Sequence, residues 1–421
     1  MWRILAFVTL SACTGSDAPS TPDPAPLPSC RQRTLRTCDV RQPECQEALV
    51  AVLGCLRGRT VRTLPVIEVI DVETARARLE AEFAMDAMTM PEPPFEEEVE
   101  VLRALGLIPE GVDLFDAQIE SFVTGVAAFY TPDTKVVTIL DRGRPLRSDD
   151  TVATLLHELV HAAQDEESDL ATALDEAESW EEYFQLLSLI EGEATFFELE
   201  ALLWMQGVGP DAPGVDYSGW ERLFVELDAI TQEDFDAEPA SLLWAAEIAP
   251  YHYGTRWQWN RWFAGGDGAV VSAFAGAAPA SSAEFMADPF RGGFAAPRRP
   301  VACDVPEAPA PFLLADATEL GPAVTYAVLR ETGAEHLTAL AFAELWQGDQ
   351  LSSYGNASGE SLGVWRVQLA SEALASDLSL RLSTAGHRSS VRGGLVTAVV
   401  GPEAVRDGWR WDAEGPCGPP E

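Results

Sequence analysis

The sequence predicts a mainly α-helical protein of the α+β class, and three stretches carry this prediction. Residues 148–165 place apolar side chains at helical spacing, and residues 180–204 are apolar almost throughout. Residues 125–140 contain two β-branched and aromatic runs separated by a turn. Helical periodicity identifies the first two stretches as helices, whereas the third has the signature of a β-hairpin. We therefore expect helices packed around a small sheet.

The helix at 148–165 carries the most informative motif of the chain. Ser148 and the residues after it are good N-cap candidates. One side of the helix is apolar, with Val152, Leu155, Leu156, Leu159, Val160 and Ala163. His157, Glu158 and His161 form a His-Glu-Leu-Val-His motif, in which two imidazoles stand one turn apart, away from the centre of the apolar stripe. This is the ligand arrangement of zinc-dependent hydrolysis, with Glu158 as the candidate general base.

A catalytic zinc site needs a third protein ligand, and the second helix supplies two candidates. The stretch from Trp180 to Trp204 is apolar almost all round and should be buried, yet Glu191 and Glu193 stand in its middle. A buried carboxylate requires a cation or strong hydrogen-bond donors. The two side chains differ by about 200° around a helix, so they cannot both face one metal ion. The residues alone leave open which of them is the ligand.

The hairpin covers Gly125 to Leu140, with its turn at Pro132-Asp133. In zinc peptidases a strand beside the metal commonly holds an extended substrate by backbone pairing, so this hairpin is a candidate substrate-binding element. An ordinary hairpin packed on a helix fits the sequence equally well. Upstream, residues 44–54 predict a helix that ends at Gly54, and residues 72–107 predict helix interrupted by prolines at 91–94.

Residues of about 120 to 375 resemble a little-characterised family of bacterial gluzincin-like metallopeptidases, many of them lipoproteins. The stretches that carry the resemblance are the hairpin, His157–Asp165, Glu191–Ala194, Pro250–Gly254 with Gly265-Gly266, Pro279–Ser282, Trp346–Asp349 and Gly363–Arg366. The family often has Leu-Gln-Asp-Gln where this chain has Ala-Gln-Asp-Glu, at residues 163–166. The resemblance implies a zincin-like core with the hairpin over the motif helix, and a single catalytic Zn²⁺.

The resemblance also implies roles for individual residues. The zinc ligands are His157, His161 and Glu191, with Glu193 as the alternative third ligand. A downstream tyrosine or histidine helps to stabilise the oxyanion in such enzymes, which selects Tyr251 and His252 here, although aromatic residues also cluster in cores. Asp165 lies four residues after His161 and is expected to orient a ligand without touching the metal.

The N-terminus resembles a bacterial lipoprotein signal. Arg3, an apolar run from Ile4 to Leu10, and Leu10-Ser11-Ala12-Cys13 imply cleavage before Cys13 and lipidation of that cysteine. An ordinary secretory signal is the alternative. Residues 13–29 are rich in proline and serine and predict a tether between the lipid and the folded part. The resemblance favours an outer-membrane location.

Six cysteines remain after Cys13, at positions 30, 38, 45, 55, 303 and 417. An even count in an exported chain predicts three disulfides, two within residues 30–55 and one joining Cys303 to Cys417, although other pairings are possible. The spacing is not that of a zinc finger. We therefore expect these cysteines to be structural.

The chain of 421 residues has a net charge of −39, and Lys135 is its single lysine. Such a surface repels nucleic acid and anionic lipid headgroups, so we expect no nucleic-acid partner and membrane contact through the N-terminal lipid only. The expected partner is a peptide or protein substrate. The sequence does not indicate an oligomeric state.

These observations predict five segments. They are a signal peptide at 1–12, the tether at 13–29, a small Cys-stapled helical segment at 30–60, a catalytic domain at 61–300 and a helical C-terminal subdomain at 301–421 that closes the cleft. The predicted function is zinc-dependent peptide hydrolysis at the cell envelope. The alternative is a catalytically silent lipoprotein that uses the same scaffold for binding or assembly.

Overall fold

The computed structural model describes residues 35–59, 62–89, 95–206, 217–274, 279–287, 300–409 and 417–418. The predicted signal peptide, the tether with Cys13, and Cys30 lie outside these ranges, as do the prolines at 91–94. Within the described ranges, no helix is long and apolar enough to cross a membrane.

The described residues form a mixed helical and sheet structure, which confirms the α+β class. The helices are α1 Pro43–Leu56, α2 Val72–Thr89, α3 Phe95–Ala104, α4 Leu114–Gly125, α5 Asp149–Ser168, α6 Leu170–Asp175, α7 Trp180–Met205, α8 Tyr217–Ala237, α9 Ser241–Leu243, α10 Ala249–Gly265, α11 Asp267–Phe274, α12 Ala283–Met286, α13 Gly321–Glu331, α14 His336–Glu344, α15 Glu372–Thr384 and α16 Glu403–Gly408. A π-helical turn, Trp244–Ile248, joins α9 to α10.

Two sheets lie in different halves of the chain. The first contains β1 Val66–Asp71, β2 Ala128–Thr131 and β3 Val136–Asp141 in the order β1-β3-β2, with β1 parallel to β3. The second is antiparallel and contains β4 Leu313–Thr318, β5 Trp346–Gly355, β6 Ser361–Leu369, β7 Arg388–Arg392 and β8 Leu395–Val400, in the order β4-β5-β6-β8-β7. The predicted hairpin is β2 and β3.

The prediction of a helical C-terminal subdomain is wrong in one respect, because the second sheet lies there. The signal was present in the sequence: Leu395–Val400 is a run of six mostly β-branched residues, and all six are buried. Such a run is typical of a strand that is covered on both faces. Helices α13, α14 and α15 pack in the same part of the chain, so the C-terminal part is mixed.

Helix α7 explains why the second predicted helix is apolar all round. It packs against α5 and α10, and it contributes side chains to both large hydrophobic cores. Phe196 and Phe197 join the core around α1, α5 and the first sheet. Tyr183 and Phe184 join the core shared with α13 and the second sheet. A helix between two cores has no solvent-facing side along much of its length.

Disulfides lie in the N-terminal and C-terminal parts of the described chain. Cys38 is bonded to Cys45 at the start of α1, and Cys55 at its end is also in a disulfide. Cys303 is bonded to Cys417, which confirms that predicted pair. Helix α1 runs two residues beyond the predicted end at Gly54, because the glycine with a left-handed φ, of 65°, is Gly58.

A buried ion pair joins the residue after α1 to α7. The Arg57 Nε atom donates to Glu193 Oε1 at 2.8 Å, and the side chains are 1% and 0% exposed. The Gln164 amide donates to the other Glu193 oxygen at 2.9 Å. Arg57 therefore supplies the cation that a carboxylate in the middle of α7 requires.

Arg57→Met should destabilise the fold by about 3–5 kcal/mol, because it leaves the Glu193 carboxylate buried without its cation. Urea denaturation of the mature protein measures this loss. The double variant Arg57→Met/Glu193→Leu should recover most of it, since an apolar pair replaces the whole ion pair. A single variant that unfolds within about 1 kcal/mol of the wild type would contradict this account.

The N-terminus of α7 is fixed to the C-terminal half by Glu181. This carboxyl group is 4% exposed and accepts hydrogen bonds from the Ser282 N–H at 2.8 Å and from the hydroxyls of Ser281 and Ser282. The Glu181 N–H donates to the Glu319 carbonyl at 3.1 Å. The Pro279–Ser282 stretch, one of the short motifs of the sequence, thus serves to hold α7.

Asp349 makes a second buried carboxyl site close by. Its Oδ1 atom accepts from the N–H groups of Leu320 and Gly321, at 3.0 and 3.2 Å, and its Oδ2 atom accepts from Trp365 Nε1 at 2.8 Å. The hydrogen bond from Trp365 to Asp349 therefore joins two further sequence motifs, Trp346–Asp349 and Gly363–Arg366. We call Glu181 and Asp349 with these donors the acidic junction.

The acidic junction should make the protein less stable as the pH rises. Burial raises the pKa of Glu181 to about 7 and that of Asp349 to about 8. The native state then binds more protons than the unfolded chain between about pH 4 and pH 8, so stability is lost as the pH rises through this window. We expect the free energy of unfolding to be lower at about pH 9 than at about pH 6 by more than about 1 kcal/mol. Equal values in urea denaturation would contradict the assignment.

Candidate metal centre

The two motif histidines converge on one carboxylate oxygen. His157 and His161 lie one turn apart on α5, and their Nε2 atoms stand 3.2 and 3.3 Å from Glu191 Oε2 on α7. The three residues are the one group of potential ligands that meets within 4.8 Å in the described ranges. The packing of α5 against α7 brings these side chains together. Helix α5 begins at the Ser148 N-cap that the sequence predicts, and α7 begins at a Ser179 N-cap.

The spacing of these donor atoms suits a tetrahedral zinc site. Zinc binds histidine nitrogen and carboxylate oxygen at about 2.0–2.2 Å, which sets tetrahedral ligand atoms about 3.3 Å apart. The two nitrogen-to-oxygen distances, 3.2 and 3.3 Å, agree with that value. Two imidazoles and one carboxylate are also the donor set of catalytic zinc sites with one position left for water. The residues present therefore fit the metal that the motif predicts.

Each histidine has a partner for its other ring nitrogen. His157 Nδ1 lies 3.1 Å from Glu198 Oε2, and His161 Nδ1 lies 3.0 Å from Gln164 Oε1. Such contacts fix the orientation of a ligating imidazole. Glu198 follows Glu191 by seven residues, or two helical turns, so its place beside the site could have been read from the sequence.

Gln164 connects the centre to the buried ion pair. Its amide nitrogen donates to the Ile190 carbonyl at 3.0 Å and to Glu193 Oε2 at 2.9 Å, while its oxygen faces His161. Glu193, the alternative third ligand of the sequence analysis, thus lies behind the centre and supports it through Gln164. Glu193 follows Glu191 by two residues, a rotation of about 200° around the helix, so its side chain points away from the histidines.

The charges of the centre suit a metal site. Although burial disfavours its charge, the histidines hold the pKa of Glu191 far below its ordinary value, so it stays ionised. Burial lowers the pKa of His157 and His161, but Glu191 outweighs burial in both, with Glu198 also acting on His157, and their pKa values are raised. A metal ion that binds here must displace a proton, so its affinity should fall at acidic pH.

Glu158 and Tyr251 stand beside the ligands. Glu158 is 4% exposed, and burial raises its pKa, as does the negative charge of Glu191. The Tyr251 ring on α10 stacks on the His157 ring, with centroids 6.0 Å apart and planes within 11°. The negative charge of Glu191 acts on Tyr251, and 39% of the residue is exposed. The structure therefore brings both of these predicted residues to the centre.

The structure does not bring His252 to the centre. Its Nε2 atom lies 3.5 Å from Asp228 Oδ1, and the other Asp228 oxygen lies 3.0 Å from His336 Nε2. His252 follows Tyr251 on α10, so its side chain leaves the helix about 100° away from that of Tyr251. Asp228, His252 and His336 thus form a cluster that is separate from the metal centre.

Asp165 also differs from its prediction. It accepts hydrogen bonds from the Tyr130 hydroxyl at 2.6 Å, from Lys135 and from the Leu170 N–H. The partner of His161 is Gln164 instead. Asp165 lies at the end of α5 beside β2 and β3, and there it holds the hairpin against the motif helix.

A contact between two glycines lets α10 approach α7 closely enough for Tyr251 to reach His157. A Cβ atom on Gly192 would lie 2.4 Å from the Gly254 carbonyl carbon, and one on Gly254 would lie 2.1 Å from the Ser188 carbonyl oxygen. Real Cβ atoms do not come this close to backbone. Glycine at both positions is therefore a condition for the geometry of the centre.

Gly254→Ala should separate the two helices, destabilise the protein by about 1–3 kcal/mol, and move Tyr251 away from His157. Denaturation and peptide hydrolysis measure the two effects. Gly268→Ala on α11 is the matched control, because its added Cβ meets nothing within 4 Å. A Gly254→Ala protein as stable as the Gly268→Ala protein would contradict the importance of this contact.

Comparisons of the chain with protein-family models, curated proteins and solved structures give no match. The function proposed below is therefore inferred from the geometry of the centre.

Proposed function

We propose that this protein is an exported, lipid-anchored zinc metallopeptidase with a zincin-like core. The observation that carries the proposal is the convergence of His157 Nε2 and His161 Nε2 on Glu191 Oε2 at distances typical of neighbouring zinc ligands. The contacts of Glu198 and Gln164 with the two imidazoles support it, because they leave the Nε2 atoms directed at one point.

The residues around the centre suit peptide-bond hydrolysis. Zinc bound there would polarise a carbonyl group and lower the pKa of a water molecule toward neutrality. Glu158 accepts a proton from the attacking water and passes it to the leaving amine. The Tyr251 hydroxyl donates a hydrogen bond to the oxyanion of the tetrahedral intermediate. His252 has no part in this mechanism, since its contacts are with Asp228.

The first sheet offers a way to hold an extended substrate. Within the described residues β2 pairs with β3 alone, so its other edge keeps unpaired backbone groups. Tyr130 of β2 is bonded to Asp165 on the motif helix, which places the strand beside α5. An extended peptide can add to such an edge as a further strand.

The disulfides, the N-terminal signal and the net charge support the proposed location. Disulfides within the described residues are typical of exported proteins. The lipoprotein-like signal ending at Cys13 supports anchoring by lipid, with the outer membrane as the proposed site. The net charge of −39 supports contact with the bilayer through the lipid alone.

Cleavage of a mixed peptide library, followed by mass spectrometry, tests the proposal with the mature protein in detergent. We expect cleavage that stops on treatment with a zinc chelator and returns with about one equivalent of zinc per chain. Zinc binding without cleavage would favour the silent binding or assembly protein instead. Cleavage unaffected by chelation would contradict the role of zinc.

A further inference from the structure

The cluster of Asp228, His252 and His336, which we call the Asp228 cluster, joins three helices. Asp228 lies on α8, His252 lies on α10, and His336 is the first residue of α14. His252 faces one carboxylate oxygen at 3.5 Å, and His336 faces the other at 3.0 Å. Both histidines are buried, but 23% of the Asp228 side chain is exposed, so the cluster has an edge at the surface. A single carboxylate thus connects α8 to α10 and to α14.

His336 has a partner for each of its ring nitrogens. Its Nε2 atom lies 3.0 Å from Asp228 Oδ2, and its Nδ1 atom lies 2.8 Å from the Tyr326 hydroxyl. Arg330 Nη1 donates to the same hydroxyl oxygen at 2.9 Å. Because arginine can only donate, the hydrogen of the Tyr326 hydroxyl is left for Nδ1, and Nε2 carries the hydrogen that is donated to Asp228. These bonds satisfy both nitrogens of a neutral imidazole.

His252 has a partner on one side only. Its Nε2 atom faces Asp228, whereas its Nδ1 atom is buried and has no hydrogen bond within the part of the chain that the structure describes. Its ring lies edge-on to the Tyr253 ring, with centroids 4.9 Å apart. A neutral imidazole leaves only a lone pair at Nδ1, but a protonated one places an N–H there. An N–H that is buried without an acceptor is costly.

The charges nearest to His252 do not remove this cost. Burial lowers the pKa of His252, and the charges of Arg256 on α10 and His336 on α14 act in the same direction, against Asp228 on α8. Burial also raises the pKa of the Tyr253 hydroxyl, so this group brings no negative charge. The closed cluster therefore favours a neutral His252.

Helix α13 and the π-helical turn complete the surroundings of the cluster. Arg330 of α13, besides its bond to Tyr326, contacts Asp236 on α8 at 3.3 Å. Trp244 of the π-helical turn carries no charge and stacks on Tyr326, with centroids 4.9 Å apart. None of these groups accepts a hydrogen bond from His252 Nδ1. A protonated His252 in the closed cluster would be a buried cation with one unpaired N–H.

We propose that the Asp228 cluster is a pH-sensitive latch, which opens when His252 takes up a proton. The closed latch holds α8 to α10 and α14. In acid the new N–H at Nδ1 finds its acceptor in water, so the protonated ring leaves Asp228 and α8 is released. The open state binds the additional proton, and opening is therefore favoured as the pH falls below about 6.5, the ordinary pKa of histidine. The latch involves no ligand of the zinc centre and does not depend on the proposed function.

Hydrogen exchange of the mature protein, followed by mass spectrometry at about pH 7.5 and about pH 5.5, tests the latch across the titration of histidine. After correction for the intrinsic effect of pH on exchange, we expect the amides of α8 to exchange more than about tenfold faster at the lower pH. Helix α15, which is distant in the chain, serves as the internal reference and should not exchange faster.

Two variants assign the response to His252. His252→Gln keeps an N–H that can face Asp228 but cannot take up a proton, so α8 should exchange at similar rates at both pH values, within about threefold. His387→Gln, at a half-buried histidine before β7, is the matched control and should respond as the wild type does.

Equal exchange of α8 at the two pH values in the wild type, or slower exchange in acid, would overturn the latch. A response that survives His252→Gln would do the same, because another group would then be the sensor. If His252→Gln does not fold, the wild-type protein still decides. Acceleration confined to α8 supports the latch, and equal acceleration of α8 and α15 overturns it as general unfolding in acid.

Discussion

Replacing Glu158 with glutamine is expected to lower kcat/KM for peptide hydrolysis by about 10²- to 10⁴-fold, the usual contribution of a general base. Glutamine fills the same volume but cannot accept a proton at neutral pH. Glu158 is not a ligand in this account, so the zinc content should stay at about one ion per chain. Hydrolysis of a fluorogenic peptide and elemental analysis measure the two quantities.

The separation of activity from metal content is the informative part of this experiment. The exposed Glu226→Gln protein, assayed in parallel, should equal the wild type in both measurements. A Glu158→Gln protein that retains more than about a tenth of wild-type activity would show that another group takes the proton. Loss of zinc together with activity would instead make Glu158 part of the metal site.

Glu191→Ala is expected to weaken zinc binding by more than about 100-fold, because even residues that only contact a ligand cost 10- to 100-fold when they are replaced. The variant removes the oxygen on which both Nε2 atoms converge. Competition with a chromophoric chelator measures the affinity directly and requires no substrate. Glu198→Gln should lose affinity by about 10- to 100-fold, because Glu198 contacts Nδ1 of His157.

Two controls separate this effect from general damage to α7. Glu226→Ala should bind zinc as the wild type does. Glu193→Gln should also retain its zinc, although we expect it to be less stable, because it leaves Arg57 buried without its carboxylate. If Glu193→Gln lost the metal while Glu191→Ala kept it, the assignment of the third ligand would be reversed.

The parts of the fold with strong local patterns are predictable from the sequence. Helix α5 begins at the predicted Ser148 N-cap, and α7 spans Trp180–Met205 against a prediction of 180–204. Both helices have long runs of apolar residues at helical spacing. The hairpin also follows from local signals, namely β-branched runs on either side of a proline-containing turn.

Features that depend on distant pairings are not predictable in the same way. Strand β1 pairs in parallel with β3, whose residues lie about seventy positions away, as in Val66 with Val136. Nothing in the local sequence indicates such a partner. The cation for Glu193 is similarly distant, because Arg57 follows α1 while Glu193 lies on α7. The sequence predicts that a buried carboxylate needs a cation, but the fold decides which one.

The same distinction applies to the candidate site: some of its residues follow from the local sequence, and others depend on how distant helices pack. The motif fixes His157, Glu158 and His161 on one helix, and the resemblance selects Glu191. For Tyr251 and His252 the sequence offers neighbouring candidates, and only the packing of α10 on α7 separates them. That packing depends on the contact of Gly192 with Gly254.

Anomalous X-ray scattering at the zinc edge, from crystals of the zinc-loaded protein, locates the metal ion directly. The proposed zinc site predicts one strong peak per chain, bonded to the Nε2 atoms of His157 and His161 and to the Glu191 carboxylate. A peak at Asp228 between His252 and His336 instead, or no peak in crystals grown with zinc, would contradict it.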